Sequence, residues 1–282
     1  MTTTTSTLQA HERSGLSFGG ILNSEWIKLR TLRSTAWCYT IVILASFGLG
    51  LLLAAWIGPI QAATGGSDPG LAVQVATAGI GFTQLVVSVL GALVITGEYG
   101  TGMIRSTLTA VPTRVPALLA KALIFGLVTF CVAIVSIAGT ALITAPLLSG
   151  SGIDFEFGNG RYILSLVGGA GFLALIGLIA LTLGAIIRNS AGGIAAALGL
   201  TLVLPNIVDL FTGMTGEAWL ANVRAFLPTS AGERMTAYET SRLAPAMRDV
   251  IVLDPLQGTL VLVAWVVVLF AVAAVLLKRR DA

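Results

Sequence analysis

The sequence predicts an all-α integral membrane protein with six transmembrane helices, an N-terminal amphipathic interfacial helix and both termini in the cytoplasm. Three observations predict it. Hydrophobic residues make up 56% of the 282 residues, charged residues only 10%, and mean hydropathy is +0.94, which does not describe a soluble globule. The apolar residues gather into six runs of roughly twenty residues or more, the length a helix needs to cross the hydrocarbon core. The runs are continuous rather than alternating, which excludes a transmembrane β-barrel.

Residues 1–15 open with a threonine run, hold the single histidine, His11, and show no apolar period, so this tail is expected to be disordered. Residues 16–35 read as an amphipathic helix. Phe18, Ile21, Leu22, Trp26, Leu29 and Leu32 share one side of the wheel; Asn23, Ser24, Lys28 and Thr31 share the other. With Lys28, Arg30 and Arg33 it suits an anionic membrane surface, the plainer alternative being the flank of the first span.

Residues 36–277 hold the spans. The first, Ala36 to Gly58, is closed by Pro59 and exceeds the apolar core of a cleavable signal peptide. Leu71 to Thr96 is the second and Ala117 to about Leu142 the third, with Pro146 beyond it. The fourth, Ile163 to Ile187, is rich in glycine: Gly168, Gly169, Gly171 and Gly177. A tight turn at Arg188-Asn189-Ser190 leads into the fifth, Ala191 to about Phe211. There Gly192 with Ala196 and Gly193 with Ala197 have the spacing that lets helices approach closely, unless they merely reflect an Ala/Gly-rich chain. Residues 213–256 form a long outside loop in which Glu217 to Phe226 and Ala231 to Ser241 each suit a short helix. Pro205 and Asp209 raise the alternative of a re-entrant pair against an ordinary folded loop. Gly258 to Leu277 is the sixth span, and residues 278–282 are a basic cytoplasmic tail.

Lys and Arg near span ends are retained in the cytoplasm, and this fixes the orientation. Arg13, Lys28, Arg30, Arg33, Arg105, Arg114, Lys121, Arg188, Lys278, Arg279 and Arg280 fall on one side; the short loops on the other carry Asp68, Asp154 and Glu156. Cys38 and Cys131 lie in apolar runs and read as buried small hydrophobes. One histidine and these two cysteines leave no zinc set, and no glycine is followed by lysine, so the chain has no phosphate-binding P-loop of its own. Within spans one, two, three, four and six only Lys121, near an end, carries charge, which argues against an ion-coupled carrier. The basic residues are scattered among short loops, so no nucleic-acid partner is expected.

The stretch from Thr96 to Lys121 is the longest polar interruption on the cytoplasmic side. Gly100 and Gly102 permit a turn out of the second span, Met103 to Ala110 suits a short helix, and Pro112 and Pro116 stop it and start the third. Arg105 and Arg114 can meet carboxylates on a soluble partner or headgroups of the bilayer. Glu98 is either a solvated helix end or an anchor fixed by Arg105 or Arg30.

The order and spacing of several segments resemble the permease subunit of type-2 ATP-binding cassette transporters over essentially the whole chain. They are Ser24-Glu25-Trp26-Ile27-Lys28-Leu29-Arg30-Thr31-Leu32-Arg33-Ser34-Thr35-Ala36-Trp37, Gly97-Glu98-Tyr99-Gly100-Thr101-Gly102-Met103-Ile104-Arg105 with Pro112-Thr113-Arg114 and Lys121, Leu227-Pro228, and Arg279-Arg280-Asp281-Ala282. The resemblance implies that residues 16–35 are a connecting helix, with Glu25, Trp26, Lys28, Arg30 and Arg33 as its marked residues. It implies that residues 98–116 are the coupling loop that docks on an ATPase through Glu98, Tyr99, Gly100, Thr101, Arg105 and Arg114. It further implies an exporter in a bacterial plasma membrane, a separate ATPase subunit that binds ATP and Mg while this chain binds no cofactor, membrane lipids, and a second permease, a copy of this chain being favoured over a different one. Closure of the ATPase pair would push the coupling loop and connecting helix and tilt spans one, two and five. The competing classes are a self-sufficient channel or carrier through spans four and five, and a membrane scaffold or intramembrane enzyme.

Overall fold

A computed structural model of the chain describes residues 17–64, 69–103, 114–153, 158–238 and 250–279. The expected disordered tail, Arg105 with the 104–113 part of the coupling loop, residues 239–241 and the last three residues lie outside them. Among the described residues the regular structure is helical throughout, and six helical stretches are long and apolar enough to cross a membrane.

Helix α1 (Phe18–Thr31) begins at Ser17, whose hydroxyl accepts the Gly20 N–H at 3.1 Å and satisfies one of the orphan amides of the first turn. Leu32, in extended conformation, separates it from α2 (Arg33–Thr64). α2 carries through Pro59 instead of ending there. One missing donor is cheaper than leaving a whole turn of backbone unpaired in an apolar surrounding.

The second span is two helices rather than one, α3 (Pro69–Thr77) and α4 (Ile80–Gly100). The break falls at Gly79, which packs directly on the Ser46 backbone of α2; an added Cβ would lie 2.6 Å from Ser46 Cα. α5 (Val115–Ser149) starts with Pro116 in its first turn, and α6 (Gly160–Ile187) is capped by Asn159, whose side chain accepts the Arg161 N–H at 3.0 Å. Arg188 closes α6 in the left-handed conformation, φ 61°, and Asn189 caps α7 (Ser190–Leu198), so the tight turn read from the sequence is present. A π turn (Gly199–Val203) joins α7 to α8 (Leu204–Thr215).

α6 is the hub. It packs against α4, α5, α7 and α11 (Pro255–Arg279), most extensively against α4, where Gly91 rests on the Gly177 carbonyl without room for a side chain. Of the two small-residue pairs in span five, Gly193 and Ala197 face this hub and are buried, whereas Gly192 and Ala196 are only half-buried and Gly192 meets its own Ile187. Large apolar side chains such as Trp37, Leu52 and Trp56 on α2 and Leu256, Leu260 and Val267 on α11 lie exposed on the outside of the bundle, as lipid-facing residues do. The cysteines are free, and Cys131 belongs to this exposed exterior rather than to the core.

The described parts of the 213–256 segment, residues 213–238 and 250–256, fold back on the bundle. α9 (Ala218–Ala225) matches the first expected short helix; the second, α10 (Pro228–Met235), starts earlier than expected because proline fits the first turn. α10 is buried: Gly232 sits under the Phe172 ring, Met235 covers Gly168, and Ala231 covers Gly258 of α11. Phe172 lies twelve residues into α6, about 18 Å along its axis at 1.5 Å per residue, so α10 is a helix inserted among the spans and not a surface loop.

Candidate functional site

Four charged side chains meet at the end of the bundle that carries α1. On α1, Ile21, Glu25 and Leu29 recur every four residues and are its buried face, turned against α5. The face that packs therefore carries a charge, and Lys28, read from the wheel as solvent-facing, leans inward beside it. Glu98 comes from the last turn of α4 and Lys121 from the second turn of α5.

Lys121 Nζ donates to Glu25 Oε2 at 2.5 Å and to Glu98 Oε1 at 2.8 Å; Lys28 Nζ donates to Glu25 Oε1 at 2.6 Å and to Glu98 Oε1 at 3.1 Å. Each ammonium thus bridges both carboxylates, and the cluster is electrically neutral. Glu25, Glu98 and Lys121 are 3%, 4% and 5% exposed. Charges so buried are tolerated only when paired and hydrogen-bonded, because the desolvation of each ion amounts to several kcal/mol. Burial opposes the charge on Lys28, but its hydrogen bond to Glu25 and the charges of Glu98 and Glu25 outweigh this and hold its ammonium above the ordinary lysine range. Glu98 Oε2 is buried with no hydrogen-bond partner among the described residues.

These contacts join three pieces that are far apart in sequence, and they correct one expectation. The ion-pair partners of Glu98 among the described residues are Lys28 and Lys121, not Arg30, which is exposed on the outer side of α1 with Trp26; Arg33, at the start of α2, is exposed too. The expected pairing with Arg105 lies outside the described residues.

The remaining marked residues surround the cluster. Tyr99 is half-buried with its ring 5.4 Å from the Arg188 guanidinium, a cation–π contact that ties the end of α4 to the α6–α7 turn. Gly100 is still helical; Thr101 caps α4 through its N–H and hydroxyl on the Gly97 carbonyl, at 3.1 and 2.9 Å, and the chain turns out at Gly102, φ 73°. Arg114 turns inward: its Nη1 donates to the Leu277 carbonyl at 3.1 Å, a cation on the last turn of α11. The described residues on either side of 104–113 are therefore held, Glu98 and Lys121 in the cluster and Arg114 on the sixth span.

Sequence reading missed Lys121 as a member of the site and misjudged Lys28. The signal was present: Glu25 falls on the Ile21–Leu29 stripe, and a charge on a packing face needs a partner from the facing helix.

At the opposite end, Asp209 of α8 pairs with Arg224 of α9, whose Nη1 donates to Ser230 Oγ at 2.8 Å. With Glu233 and Arg234 these residues line an open cavity of about 340 Å³.

A family model described as "ABC-2 family transporter protein" matches residues 21–206, a span that includes Glu25, Lys28, Glu98 and Lys121. No curated protein matches the chain.

Proposed function

We infer the role of this chain from its family: it belongs to the ABC-2 transporter family, and it is the membrane-spanning subunit of an ATP-binding cassette transporter. Its energy comes from a separate ATPase subunit that holds ATP and Mg. The end bearing α1 faces the cytoplasm of a bacterial plasma membrane, because Lys28, Arg30, Arg33, Arg114, Lys121, Arg188, Lys278 and Arg279 all gather there. That orientation leaves both termini inside and presents the 98–116 coupling loop and the α1 connecting helix to the ATPase. A second copy of this chain completes the passage, and transport is outward.

The observation that carries this reading is the buried Glu25–Lys28–Glu98–Lys121 cluster. A push on the 104–113 segment is passed to the described residues on either side of it. Glu98 before the segment and Lys121 after it are both tied to Glu25 and Lys28, so α1 cannot stay behind without exposing unpaired buried charge. The push is thereby shared between the connecting helix and spans one to three, and through Arg114 with span six. The uncharged walls of the spans suit an apolar or amphiphilic cargo.

The test needs no knowledge of the cargo. The chain is purified with its ATPase, and nucleotide is trapped with vanadate. A spin-label distance between Ile27→Cys on α1 and Met214→Cys on α8, both exposed positions, should change in the wild type. In Glu98→Gln the ATPase should remain bound and hydrolyse ATP while the distance stays fixed. An unchanged response in Glu98→Gln would remove the cluster from the coupling route.

A further inference from the structure

The fifth span is interrupted at mid-length by the π turn Gly199–Val203, just before Pro205. The cause is local. In an α-helix the Thr201 carbonyl would accept the N–H of residue 205, and proline has none. The register widens instead, and the Leu204 N–H reaches back five residues to the Gly199 carbonyl.

Side-chain donors gather around this turn. Thr201 Oγ1 donates to the Ala197 carbonyl at 2.8 Å and Asn206 Nδ2 to the Leu202 carbonyl at 2.6 Å. A third donor comes from another helix: Thr229 Oγ1 of α10 donates to the Thr201 carbonyl at 2.7 Å. That bond is sealed, with Thr201 1% and Thr229 6% exposed. Its donor is also rigidly placed, because α10 is clamped between α6 and α11 by the Gly232–Phe172 and Ala231–Gly258 contacts. Beyond the turn α8 has few other holds. Only Pro205 and Val208 of it are buried, and among the described residues its further polar tie to another helix is the Asp209–Arg224 pair.

We propose that Thr229 is a positioning residue for the outer half of the fifth span. Its hydroxyl takes the carbonyl that Pro205 leaves without a helical partner, latches the π turn, and fixes the direction in which α8 departs. When span five tilts during transport, this bond must break or carry α10 along; that consequence rests on the transporter reading, while the latch is a property of this chain alone.

The test uses the full chain in lipid vesicles, with Cys38 and Cys131 replaced by alanine and spin labels at Leu210→Cys on α8 and Leu164→Cys on α6, both exposed. The wild type and Thr229→Ser, which keeps the hydroxyl, should give one narrow distance. Thr229→Val, nearly the same shape without the donor, should add a second distance, with the population ratio changed about five-fold, as expected for one buried hydrogen bond. Pro205→Ala restores an N–H within the helix, so in that background Thr229→Val should leave the distance narrow. Identical distributions in the wild type and Thr229→Val would overturn the latch. So would equal broadening with and without Pro205→Ala, since the effect would then come from packing. Neither ATPase, nucleotide nor cargo is present, so a failure of the transporter reading leaves this result untouched.

Discussion

Replacing Lys121 by methionine tests the cluster most severely. Methionine keeps the length and apolar stem of the side chain but removes the ammonium that bridges Glu25 and Glu98 at 2.5 and 2.8 Å. Lys28 alone then faces two carboxylates that are 3% and 4% exposed, leaving one buried negative charge uncompensated. Removing one partner of a buried pair is worth about 3 kcal/mol at the low end of its range, or about two orders of magnitude in the equilibrium between docked and undocked α1. The assay is thiol labelling at Ile21→Cys, a position 8% exposed against α5, in a chain whose Cys38 and Cys131 are alanine. When docking is fast, the labelling rate reports the undocked population. Lys121→Met should accelerate labelling about a hundred-fold, and Lys121→Met with Glu98→Gln, which restores neutrality, should recover most of the protection. Equal labelling of Lys121→Met and the parent would refute the electrostatic tie, as would a double variant no better protected than the single one.

Three further outcomes are expected. Gly232→Ala drives a methyl into the Phe172 ring and should lower thermal stability by about 1–3 kcal/mol, read as an earlier loss of monodisperse protein on heating; Gly213→Ala, with open space around it, should not. Arg114→Leu removes a charged hydrogen bond to the Leu277 carbonyl, a loss of about 1.5–3 kcal/mol; the end of α11 should show faster amide exchange while the far end of the bundle is unaffected. For Lys28 the sign follows from its raised pKa: its stabilisation is complete below the ordinary lysine value of 10.5 and is lost as pH rises through the higher folded value. Labelling at Ile21→Cys, corrected for thiolate fraction, should be flat through neutral pH and rise only in that alkaline window, and Lys28→Met should abolish the rise.

The six spans were legible because a bilayer sets both length and composition of a crossing helix, and the Arg188–Ser190 turn because Asn189 has a clear capping role. The split of the second span was not, since it falls where Gly79 lies against Ser46 of a different helix, a tertiary contact. Pro59 misled for the opposite reason: a local rule for ending helices yields where an apolar surrounding offers the backbone no other partner. The site was half legible. Glu98 and the α1 residues stood out by sequence, but the role of Lys121 depends on α5 lying across α1, a tertiary fact. Lys28 was placed on the wrong side because a wheel weighs hydrophobicity and cannot see that Glu25 on the packed face draws a cation inward. The burial of α10 had only Pro205 and the glycines of α6 to announce it.

Whether an ATPase drives this chain by gripping its coupling loop is decided by purifying it from its native membrane in mild detergent and assaying the preparation for nucleotide hydrolysis and bound partners. A co-purifying ATPase subunit without spans of its own is expected with the wild-type chain and should be lost with Arg105→Glu. A clean preparation that binds no ATPase, hydrolyses nothing and still passes solute across vesicles under a gradient alone would contradict it.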